Sequence, residues 1–424
     1  MNTHSSPLTE CRICQQSQFQ TILKLGNLHF TGRFGNKAGQ QLPSGDVSLV
    51  QCKNCDLLQL GHIYEPSEMY GATYGYRSAV TETMRNHLKD IAKGSRSSLS
   101  LTNPDKRDLP IILDIGSNDG TLINYQALLG AKSIVAIDPC LSKHVHKYPQ
   151  ECIKLDSFFS YEAVSKAFTG RFDIITSIAM LYDLDNPRKF INDVYSLLDD
   201  RGVWVTEQTH SHTLVTSNAY DSICHEHSLY FSFQVFEQLV ESCGFFVLDV
   251  FENFINGGSF RAVLAKKTNA TLAPSERVLK FRAKEEQLQV NKKSTLDNFA
   301  RNTHQSIRRL DDFLKQAHLS GKKVLGYGAS TKGNVLLQLL DPMLVQTISC
   351  ILERDENKFG LFTPGTNIPI VDEETGRGLK PDYLLVLPWH FRDEIVARES
   401  DLLQSGCKLI FPLPKFDVIG GFNE

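Results

Sequence analysis

Ile111-Ile112-Leu113-Asp114-Ile115-Gly116-Ser117-Asn118-Asp119-Gly120-Thr121-Leu122 contains a short apolar run that ends in an acid and two glycines. A helical pattern follows it, so the stretch predicts a buried parallel strand, a tight turn and a helix start. Gly116 lets a ligand approach the backbone closely, and the first turn of a helix leaves N–H groups free. We therefore expect an α/β fold with a ligand at this turn.

A second apolar run, residues 133–137, leads into Asp138. An acid about two dozen residues after the acid of the first strand can hydrogen-bond the hydroxyls of a bound ribose. The glycine turn is neither a G-x-G-x-x-G sequence nor a P-loop, and its acids suit a cationic amino-acid group better than a phosphate. An ordinary α/β turn without a ligand is the alternative.

The turn resembles motif I of the class I methyltransferases that depend on S-adenosylmethionine. The resemblance implies that the acid and the glycines hold the methionine part of this cofactor and that Asp138 holds its ribose. Asp156 and Phe158 follow a short third strand, where we expect them to cap and stack on adenine. The expected cofactor residues are Asp114, Gly116, Asn118, Asp119, Gly120, Asp138, Asp156 and Phe158.

The composition is that of a soluble globular protein, since 41% of the 424 residues are hydrophobic and 22% are charged. This length predicts two or three domains. The net charge of -3 gives no indication of nucleic-acid or anionic-membrane binding. No apolar run approaches the roughly 20 residues of a membrane span. Because residues 1–10 are polar and lack a signal-peptide core, we expect a cytoplasmic protein whose ten cysteines are reduced or metal-bound.

Two C-x-x-C pairs, Cys11 with Cys14 and Cys52 with Cys55, lie near the N-terminus. Four thiolates arranged in this way close a tetrahedral structural zinc site. The segment between the pairs has too few apolar residues for a core of its own, so a metal ion is needed to hold it. A redox C-x-x-C, which needs only one pair, is the alternative. We predict a zinc-binding module over residues 1–70.

Strand-like runs alternate with helical patterns over residues 71–270, which predicts a doubly wound, mostly parallel sheet. We expect its strands near residues 111–115, 133–137, 173–178, 202–207, 245–250 and 260–266.

The rest of the chain predicts two further units. An amphipathic pattern over 276–319 predicts a helical bridge at residues 271–320. Residues 321–424 contain another strand, glycine turn and helix start, which predicts a smaller Rossmann-like α/β domain. Its later strands are expected near residues 347–352, 383–387 and 408–411.

Residues 220–231 hold a dense group of reactive side chains, with Cys224, His225, Glu226 and His227 in succession. Three interpretations are open. A metal site would lack the i, i+4 spacing of H-E-x-x-H. A helix start packed under the sheet would need no chemistry. A neutral imidazole beside a carboxylate would suit the removal of a moderately acidic proton.

The glycine turn of the C-terminal domain, residues 326–333, offers backbone donors and Lys332, which suit a phosphate. A NAD site is one alternative, and glycines that only permit tight strand–helix packing are another. The acceptor contacts expected from this domain are Ser330, Thr331, Lys332, Asn334, Trp389, His390 and Arg392.

The whole chain resembles the sugar C-methyltransferases, which methylate a ring carbon of nucleotide-linked 4-keto-deoxyhexoses. The features shared in this order are the zinc knuckles, residues 74–76, residues 113–120, residues 220–227 and Asn256-Gly257-Gly258-Ser259-Phe260. The resemblance implies that a base removes the proton beside the ketone and that the enolate carbon then attacks the sulfonium methyl.

The resemblance also assigns residues to this reaction. His227 matches the base and Glu226 its supporting acid. Tyr76, in a strip rich in tyrosine and glycine, is the third expected catalytic residue. The alternative is that this strip only packs the small module onto the next domain. The expected acceptor residues are Tyr182, Cys224, His225, Asn256, Ser259, Lys332, Asn334, Trp389, His390 and Arg392.

Two departures from the family leave the acceptor open. Family members carry Tyr where this chain has Cys224 and His where it has Tyr182, so the sugar or the methylated carbon can differ. The expected partner is a nucleotide sugar, with no nucleic acid and no membrane, for a monomer or homodimer. The alternatives are a hydroxyl or non-sugar carbon acid as acceptor, and a non-catalytic protein that binds nucleotide sugars.

Overall fold

A computed structural model describes residues 5–70, 77–106, 108–269 and 272–420 of the chain. Tyr76, one of the expected catalytic residues, lies outside these ranges. Every helix within them is too short or too polar to cross a lipid bilayer.

The described residues form three main sheets and a small two-stranded one. The strands are β1 (Ser5–Pro7), β2 (Phe19–His29), β3 (Ser44–Cys52), β4 (Leu58–Leu60), β5 (His62–Tyr64), β6 (Ile111–Ile115), β7 (Ser133–Ile137), β8 (Ile153–Leu155), β9 (Phe172–Ile178), β10 (Leu198–Thr209), β11 (Leu229–Tyr230), β12 (Phe245–Asn253), β13 (Ser259–Lys266), β14 (Val324–Tyr327), β15 (Ile348–Glu353), β16 (Ile370–Asp372), β17 (Tyr383–Val386), β18 (Lys408–Phe411) and β19 (Asp417–Ile419).

Helices cover and connect these sheets. They are α1 (Pro66–Met69), α2 (Glu82–Thr102), α3 (Thr121–Leu128), α4 (Tyr161–Ala167), α5 (Pro187–Leu197), α6 (Ser211–Thr216), α7 (Phe233–Ser242), α8 (Glu276–Leu288), α9 (Lys293–Leu319), α10 (Thr331–Gln338), α11 (Pro342–Val345), α12 (Glu373–Gly378), α13 (Arg392–Arg398) and α14 (Ser400–Gln404).

The central sheet has seven strands in the order β12-β13-β10-β9-β6-β7-β8. Its strands from β6 to β10 pair in parallel, whereas β13 runs antiparallel to both β10 and β12. Ile112, Leu113 and Ile115 are buried, as expected for a parallel strand covered on both faces. The chain turns from one side of β6 to the other between β8 and β9, so the carboxyl ends of β6 and β9 border a ligand-binding crevice. The predicted doubly wound α/β fold is confirmed.

The N-terminal module is built on an antiparallel sheet in the order β11-β4-β3-β2, with β1 and β5 paired beside it. Its edge strand, β11, comes from the segment that follows His227 along the chain, and Leu229 pairs with Gln59. The predicted zinc module therefore completes its sheet with a strand from the catalytic region.

The C-terminal sheet has the order β16-β15-β14-β17-β18-β19. It is parallel except for β19, which returns antiparallel to β18. This is the predicted smaller Rossmann-like unit, and its glycine turn follows the central strand β14.

The predicted helical bridge consists of two helices that pack on different cores. Phe281 of α8 joins the core of the central sheet. Phe299 and Leu314 of α9 join the core that the N-terminal and C-terminal sheets share. The two helices thus pack against the cores of all three sheets and connect them. The proposed domain boundaries remain predictions.

Candidate active site

A cavity of about 340 Å³ opens at the carboxyl ends of β6, β7 and β9. Its lining comes from the glycine turn after β6, the turn after β9, the Cys224–His227 region and the start of α10. The cavity therefore brings together residues that are widely separated in the sequence.

Asp114, near the end of β6, presents an unpaired oxygen to this region. Its Oδ1 accepts a hydrogen bond from Thr176 Oγ1 at 2.6 Å, whereas Oδ2 has no partner among the described residues. Burial raises the pKa of Asp114 to about 7, against the hydrogen bond from Thr176. A free carboxyl oxygen here fits the ammonium group of the methionine part of S-adenosylmethionine.

Gly116 lies in the tight turn after β6 and lines the cavity. Its φ is 72°, and a Cβ built there would lie 3.2 Å from Met180 Cγ. A side chain at this position would be strained and would crowd the cavity wall.

Asp138 follows β7, and its carboxyl group connects the end of this strand to the turn after β6. Its Oδ2 accepts a hydrogen bond from Asn118 N at 2.9 Å, and its Oδ1 accepts one from Cys140 N at 2.6 Å. Burial raises its pKa despite these bonds. Asp138 and Asn118 both line the cavity, and the ribose contact at Asp138 stays a prediction.

Two of the predicted cofactor residues stabilise the turn after β6 but lie outside the cavity lining. Asp119 is 1% exposed, lies outside the cavity lining, and accepts hydrogen bonds from Ala79 N and Thr121 Oγ1. Gly120, with a φ of 79°, precedes α3 and packs against Tyr148. Since both lie behind the lining, the structure gives them a supporting position rather than a ligand contact.

The predicted adenine contacts separate in the structure. Phe158 lines the cavity with half of its side chain exposed, a position that suits stacking on a flat base. Asp156 is exposed and lies outside the lining.

His227 lines the cavity with its ring orientation fixed. Its Nδ1 lies 2.8 Å from the carbonyl oxygen of Ser222, which can only accept, so Nδ1 carries the proton and Nε2 keeps its lone pair. The Tyr182 ring packs edge-on against the imidazole, with centroids 4.9 Å apart. Burial, and then the charge of Lys332, lower the pKa of His227 to about 4, whereas Glu226 acts in the opposite direction. The imidazole is therefore neutral at physiological pH, with its lone pair on Nε2.

Glu226 lines the same cavity but takes its hydrogen bonds from the N-terminal module. Its carboxyl group accepts from Thr31 Oγ1 at 3.0 Å and from Gly32 N at 3.2 Å. We expected the carboxylate to orient the neighbouring imidazole, but Ser222 orients it instead. Glu226 acts on His227 through its charge.

Tyr182 and Cys224 line the cavity beside His227, as predicted for acceptor contacts. Burial, followed by the charge of Glu226, raises the pKa of the Cys224 thiol well above its usual value. Cys224 is therefore a neutral thiol, which makes it a small pocket-shaping side chain rather than a nucleophile.

His225 points away from the cavity. Its ring packs between Phe30 and Tyr64 in the N-terminal core, with centroids 4.6 and 4.9 Å away, and it is fully buried. The expected acceptor contact at His225 is thus replaced by a packing role, because successive residues of this loop project to opposite sides.

Lys332 and Asn256 meet at the boundary between the central and C-terminal sheets. The Lys332 ammonium donates a hydrogen bond to the Asn256 carbonyl oxygen, and both residues line the cavity. Burial lowers the pKa of Lys332, against the charge of Asp221. Lys332 therefore supplies a cationic group within the cavity wall, and its contact with the acceptor stays a prediction.

A second cavity of about 210 Å³ lies above the glycine turn of the C-terminal sheet. It shares Ser78, Asn256 and Lys332 with the first cavity, so the two adjoin. Of the predicted acceptor residues, Ser330 and His390 line only this second cavity, whereas Thr331 lines both. Burial, and then the charge of Lys332, lower the pKa of His390 to about 3, so its imidazole is neutral.

Besides His225, four predicted acceptor residues lie outside both linings. Each is held by another residue: Trp389 donates to Asp221, Asn334 donates to Thr31 O, Ser259 donates to Ile255 O, and Arg392 pairs with Asp417 over the Phe411 ring. These side chains hold the loops of the site in place and do not face a ligand in this structure.

The sequence analysis missed residues that the fold brings to the site. Ser222 orients His227, Thr31 binds Glu226, and Tyr70 and Asp183 line the cavity. Asp183 directly follows Tyr182 in the turn after β9, which was a usable signal. Thr31 lies in a loop of the zinc module, and no local pattern connects it to Glu226.

The four knuckle cysteines converge in the N-terminal module. Their sulfur atoms all lie within 4.8 Å of one another, with Cys11 and Cys55 at 3.6 Å and Cys14 and Cys52 at 3.5 Å. Tetrahedral zinc with Zn–S bonds of about 2.3 Å places sulfurs roughly 3.8 Å apart, so the cluster fits this ion. The predicted structural zinc site is confirmed.

Three family models match the chain in sequence order. They are described as "Putative zinc binding domain" at residues 11–70, "Methyltransferase domain" at residues 84–250 and "C-methyltransferase C-terminal domain" at residues 254–414. The C-methyltransferase NovU of Streptomyces niveus is 27% identical over 420 residues, 97% of each chain.

Solved structures are similar over part of the chain. An S-adenosylmethionine-dependent methyltransferase from Clostridium acetobutylicum is 13% identical, with 41% of this chain and 92% of that chain covered and a TM-score of 0.32. The N-methyltransferase NodS from Bradyrhizobium japonicum is 14% identical, with 43% and 97% covered and a TM-score of 0.32.

The fold, the glycine turn and the methyltransferase match together define an S-adenosylmethionine-dependent methyltransferase. More specifically, the zinc-binding and C-methyltransferase C-terminal matches flank the methyltransferase match, and the similarity to the C-methyltransferase NovU extends along the whole chain.

Proposed function

We propose that this enzyme methylates a ring carbon beside the ketone of a nucleotide-linked keto-deoxysugar. The observation that carries the proposal is the tautomer of His227, since Ser222 O holds the proton on Nδ1 and leaves Nε2 as a base on the cavity side. A carbon acid beside a ketone needs such a positioned base.

The residues around the glycine turn would hold S-adenosylmethionine. Asp114 would pair with its ammonium group, Asp138 with its ribose, and Phe158 would stack on its adenine. When bound there, the cofactor supplies an electrophilic methyl group.

His227 Nε2 would take the proton from the carbon beside the ketone. The C–H electron pair then forms a carbon–carbon double bond, and the carbonyl pair moves onto oxygen, giving an enolate. Neutral His227 suits this step because the surrounding burial keeps it unprotonated until substrate arrives. Tyr182 and Cys224 would shape the space around the sugar.

The adjoining cavities support an extended acceptor such as a nucleotide sugar. In the second cavity, Glu353 at the end of β15 accepts hydrogen bonds from Ala329 N and Asp355 N. This arrangement parallels that of Asp138 in the first cavity, and it suits a ribose. Lys332, which lines both cavities, is placed for a phosphate between the nucleoside and the sugar.

The test is to incubate the protein with S-adenosylmethionine and a panel of nucleotide-linked keto-deoxysugars, and to detect a methyl-branched product by mass and NMR. In deuterated water without the cofactor, we expect exchange of the proton beside the ketone. We expect His227→Gln to reduce exchange and turnover by about 10²- to 10⁴-fold while S-adenosylhomocysteine still binds.

Two results would contradict the proposal. Wild-type turnover in His227→Gln would remove the assigned base. Methylation of a hydroxyl, without exchange of any carbon-bound proton, would make the enzyme an O-methyltransferase. A replacement of exposed Asp312 in α9 by Asn provides a control that should leave all these quantities unchanged.

A further inference from the structure

Asp183 is a carboxyl group of the cavity wall to which the reaction above assigns no role. It ends the 3-10 turn Leu181–Asp183, which follows β9. It lines the cavity, and the neighbouring Tyr182 ring contacts His227. Asp183 thus directly follows a residue that contacts the expected base, and it lines the same cavity.

The carboxyl group of Asp183 has no cationic partner among the described residues. The Tyr70 hydroxyl donates a hydrogen bond to it and also lies 3.4 Å from the Glu226 carbonyl oxygen. The second oxygen, Oδ1, has no hydrogen-bond partner within the described part of the chain. No lysine, arginine or histidine of that part forms an ion pair with Asp183, since none lies within 4.0 Å.

These surroundings favour the neutral form of the acid. Burial raises the pKa of Asp183 well above its usual value, the Tyr70 hydrogen bond opposes this shift, and the Glu226 charge adds to it. The other titratable groups that face it, Cys224 and Tyr230, are themselves neutral because burial raises their pKa values. A protonated carboxyl has one O–H to donate while its other oxygen accepts from Tyr70.

We propose that Asp183 is a catalytic residue that, in its protonated form, donates a hydrogen bond to the ketone oxygen of the acceptor as that oxygen gains negative charge. This inference rests on the proposed carbon methylation. A carboxylic acid kept neutral by an apolar site can stabilise an enolate in this way.

The proton and electron balance of the step is complete. The proton beside the ketone passes to His227 Nε2, the C–H pair becomes the enolate double bond, and the carbonyl pair moves to oxygen. The Asp183 O–H shares its proton with that oxygen without transferring it. The C=C electron pair of the enolate then forms the bond to the methyl carbon, and the electron pair on oxygen re-forms the C=O bond of the ketone. The hydrogen bond from Asp183 weakens at this point. The S–CH₃ pair leaves with sulfur.

Other donors around the cavity suit this role less well. The Lys332 ammonium donates to the Asn256 carbonyl oxygen and is assigned above to a phosphate of the acceptor. The Cys224 S–H is a weak donor. Asp183 combines a strong neutral donor with an unpaired oxygen, and it lines the same cavity as the expected base.

Two variants separate a neutral donor from a charged carboxylate. Asp183→Asn keeps a neutral donor of similar shape, so we expect solvent exchange of the ketone-adjacent proton within about tenfold of wild type. Asp183→Leu removes the donor, so we expect exchange and turnover to fall by about 10²- to 10³-fold with little change in KM or in S-adenosylhomocysteine affinity. Equal losses in both variants would overturn the proposal, because they would require an ionised carboxylate.

A spectroscopic measurement keeps the test valid if Asp183→Leu folds poorly. Difference infrared spectra of wild type against Asp183→Asn at neutral pH should show the C=O band of a protonated carboxyl, and its absence would overturn the inference. Wild-type protein that exchanges no ketone-adjacent proton would overturn the proposed function and the inference with it. Wild-type exchange that persists in a folded Asp183→Leu would overturn the role of Asp183 alone.

Discussion

His227 shows how a single residue obtains its chemistry from partners distant in the chain. Its tautomer is set by Ser222, but its charge state depends on burial and on Lys332. Lys332 lies in α10, about one hundred residues further along the chain, and reaches the cavity only because the C-terminal sheet packs against the central one.

This arrangement predicts an unusual dependence of activity on pH. The base works when neutral, and its pKa is lowered to about 4. For solvent exchange without the cofactor, kcat/KM should therefore stay level as pH falls until the pH approaches that value, provided the protein remains folded. Replacing Lys332 by Met removes a nearby positive charge and should raise the pKa of His227. The acid limb of the profile should then move upward by at most about two pH units, toward the ordinary value near 6.5.

Profiles of kcat/KM for solvent exchange, measured for wild type and Lys332→Met, check this prediction. NMR titration of the His227 ring provides a second reading that does not depend on acceptor binding. An acid limb that stays in place or moves downward in the variant would contradict the assigned effect of Lys332.

Sequence reasoning at this scale succeeded where a side chain leaves a regular element. The turn after β6 and the acid after β7 place Gly116 and Asp138 at the cavity, because parallel strands aim their carboxyl ends at one edge. It failed for His225 and Trp389, which lie in irregular segments, and for Asn334, which lies within α10 but donates to Thr31 O. Their directions are set by partners far away in sequence, such as Phe30 for His225.

At the scale of elements, the strand predictions were close because hydrophobic runs mark buried strands directly. The structure has the strands at 111–115, 133–137 and 408–411 with the predicted bounds. The strand expected at 202–207 extends over 198–209, since its polar start, with Asp199 and Asp200, gives no apolar signal. The pairing of β11 with β4 had no local signal either, because β11 is only two residues long.

The segment between residues 77 and 80 joins the cofactor turn to the C-terminal sheet. Ser78 N and Ala79 N donate to the side chains of Asn118 and Asp119, respectively. Arg77 forms an ion pair with Asp355, 3.5 Å apart. Residues 77–80 therefore stabilise the turn after β6, and Asp119 accepts one of the connecting hydrogen bonds.

We expect Asp119→Ala to destabilise the fold by about 1–3 kcal/mol, because it leaves Ala79 N and the start of α3 without their acceptor. The affinity for S-adenosylhomocysteine should fall less than in Asp114→Ala, which removes an oxygen that lines the cavity. Chemical denaturation and calorimetry measure the two quantities. A variant of Asp119 with unchanged stability but abolished cofactor binding would instead make it a direct ligand contact.

Across the whole molecule, the zinc module is part of the active site rather than an appendage. Glu226 takes its hydrogen bonds from Thr31 and Gly32, and β11 completes the N-terminal sheet. The sequence predicted the metal cluster from its spacing, but not this coupling, because contacts across nearly two hundred residues leave no trace in local patterns.

Arg12 makes the connection between the zinc knuckle and the cavity wall. It lies between Cys11 and Ile13, is buried, and donates to the carbonyl oxygens of Leu60 and His62 at 2.8 Å. Its Nε lies 2.7 Å from Asp185 Oδ1, and Asp185 lines the cavity. The metal cluster thereby fixes the loop that also carries Tyr182 and Asp183.

Loss of zinc should therefore impair methyl transfer through this loop. We expect Cys55→Ser to lower the zinc content from about one per chain and to reduce both stability and turnover. Arg12→Met should retain zinc, since it keeps all four thiolates, yet it should lower kcat and raise the acceptor KM because Asp185 loses its partner. Metal analysis, thermal unfolding and steady-state kinetics separate these effects. If Arg12→Met retained wild-type kinetics, the knuckle would stabilise the module without positioning the cavity wall. If the zinc-free Cys55→Ser protein turned over normally, the metal would have no influence on the site at all.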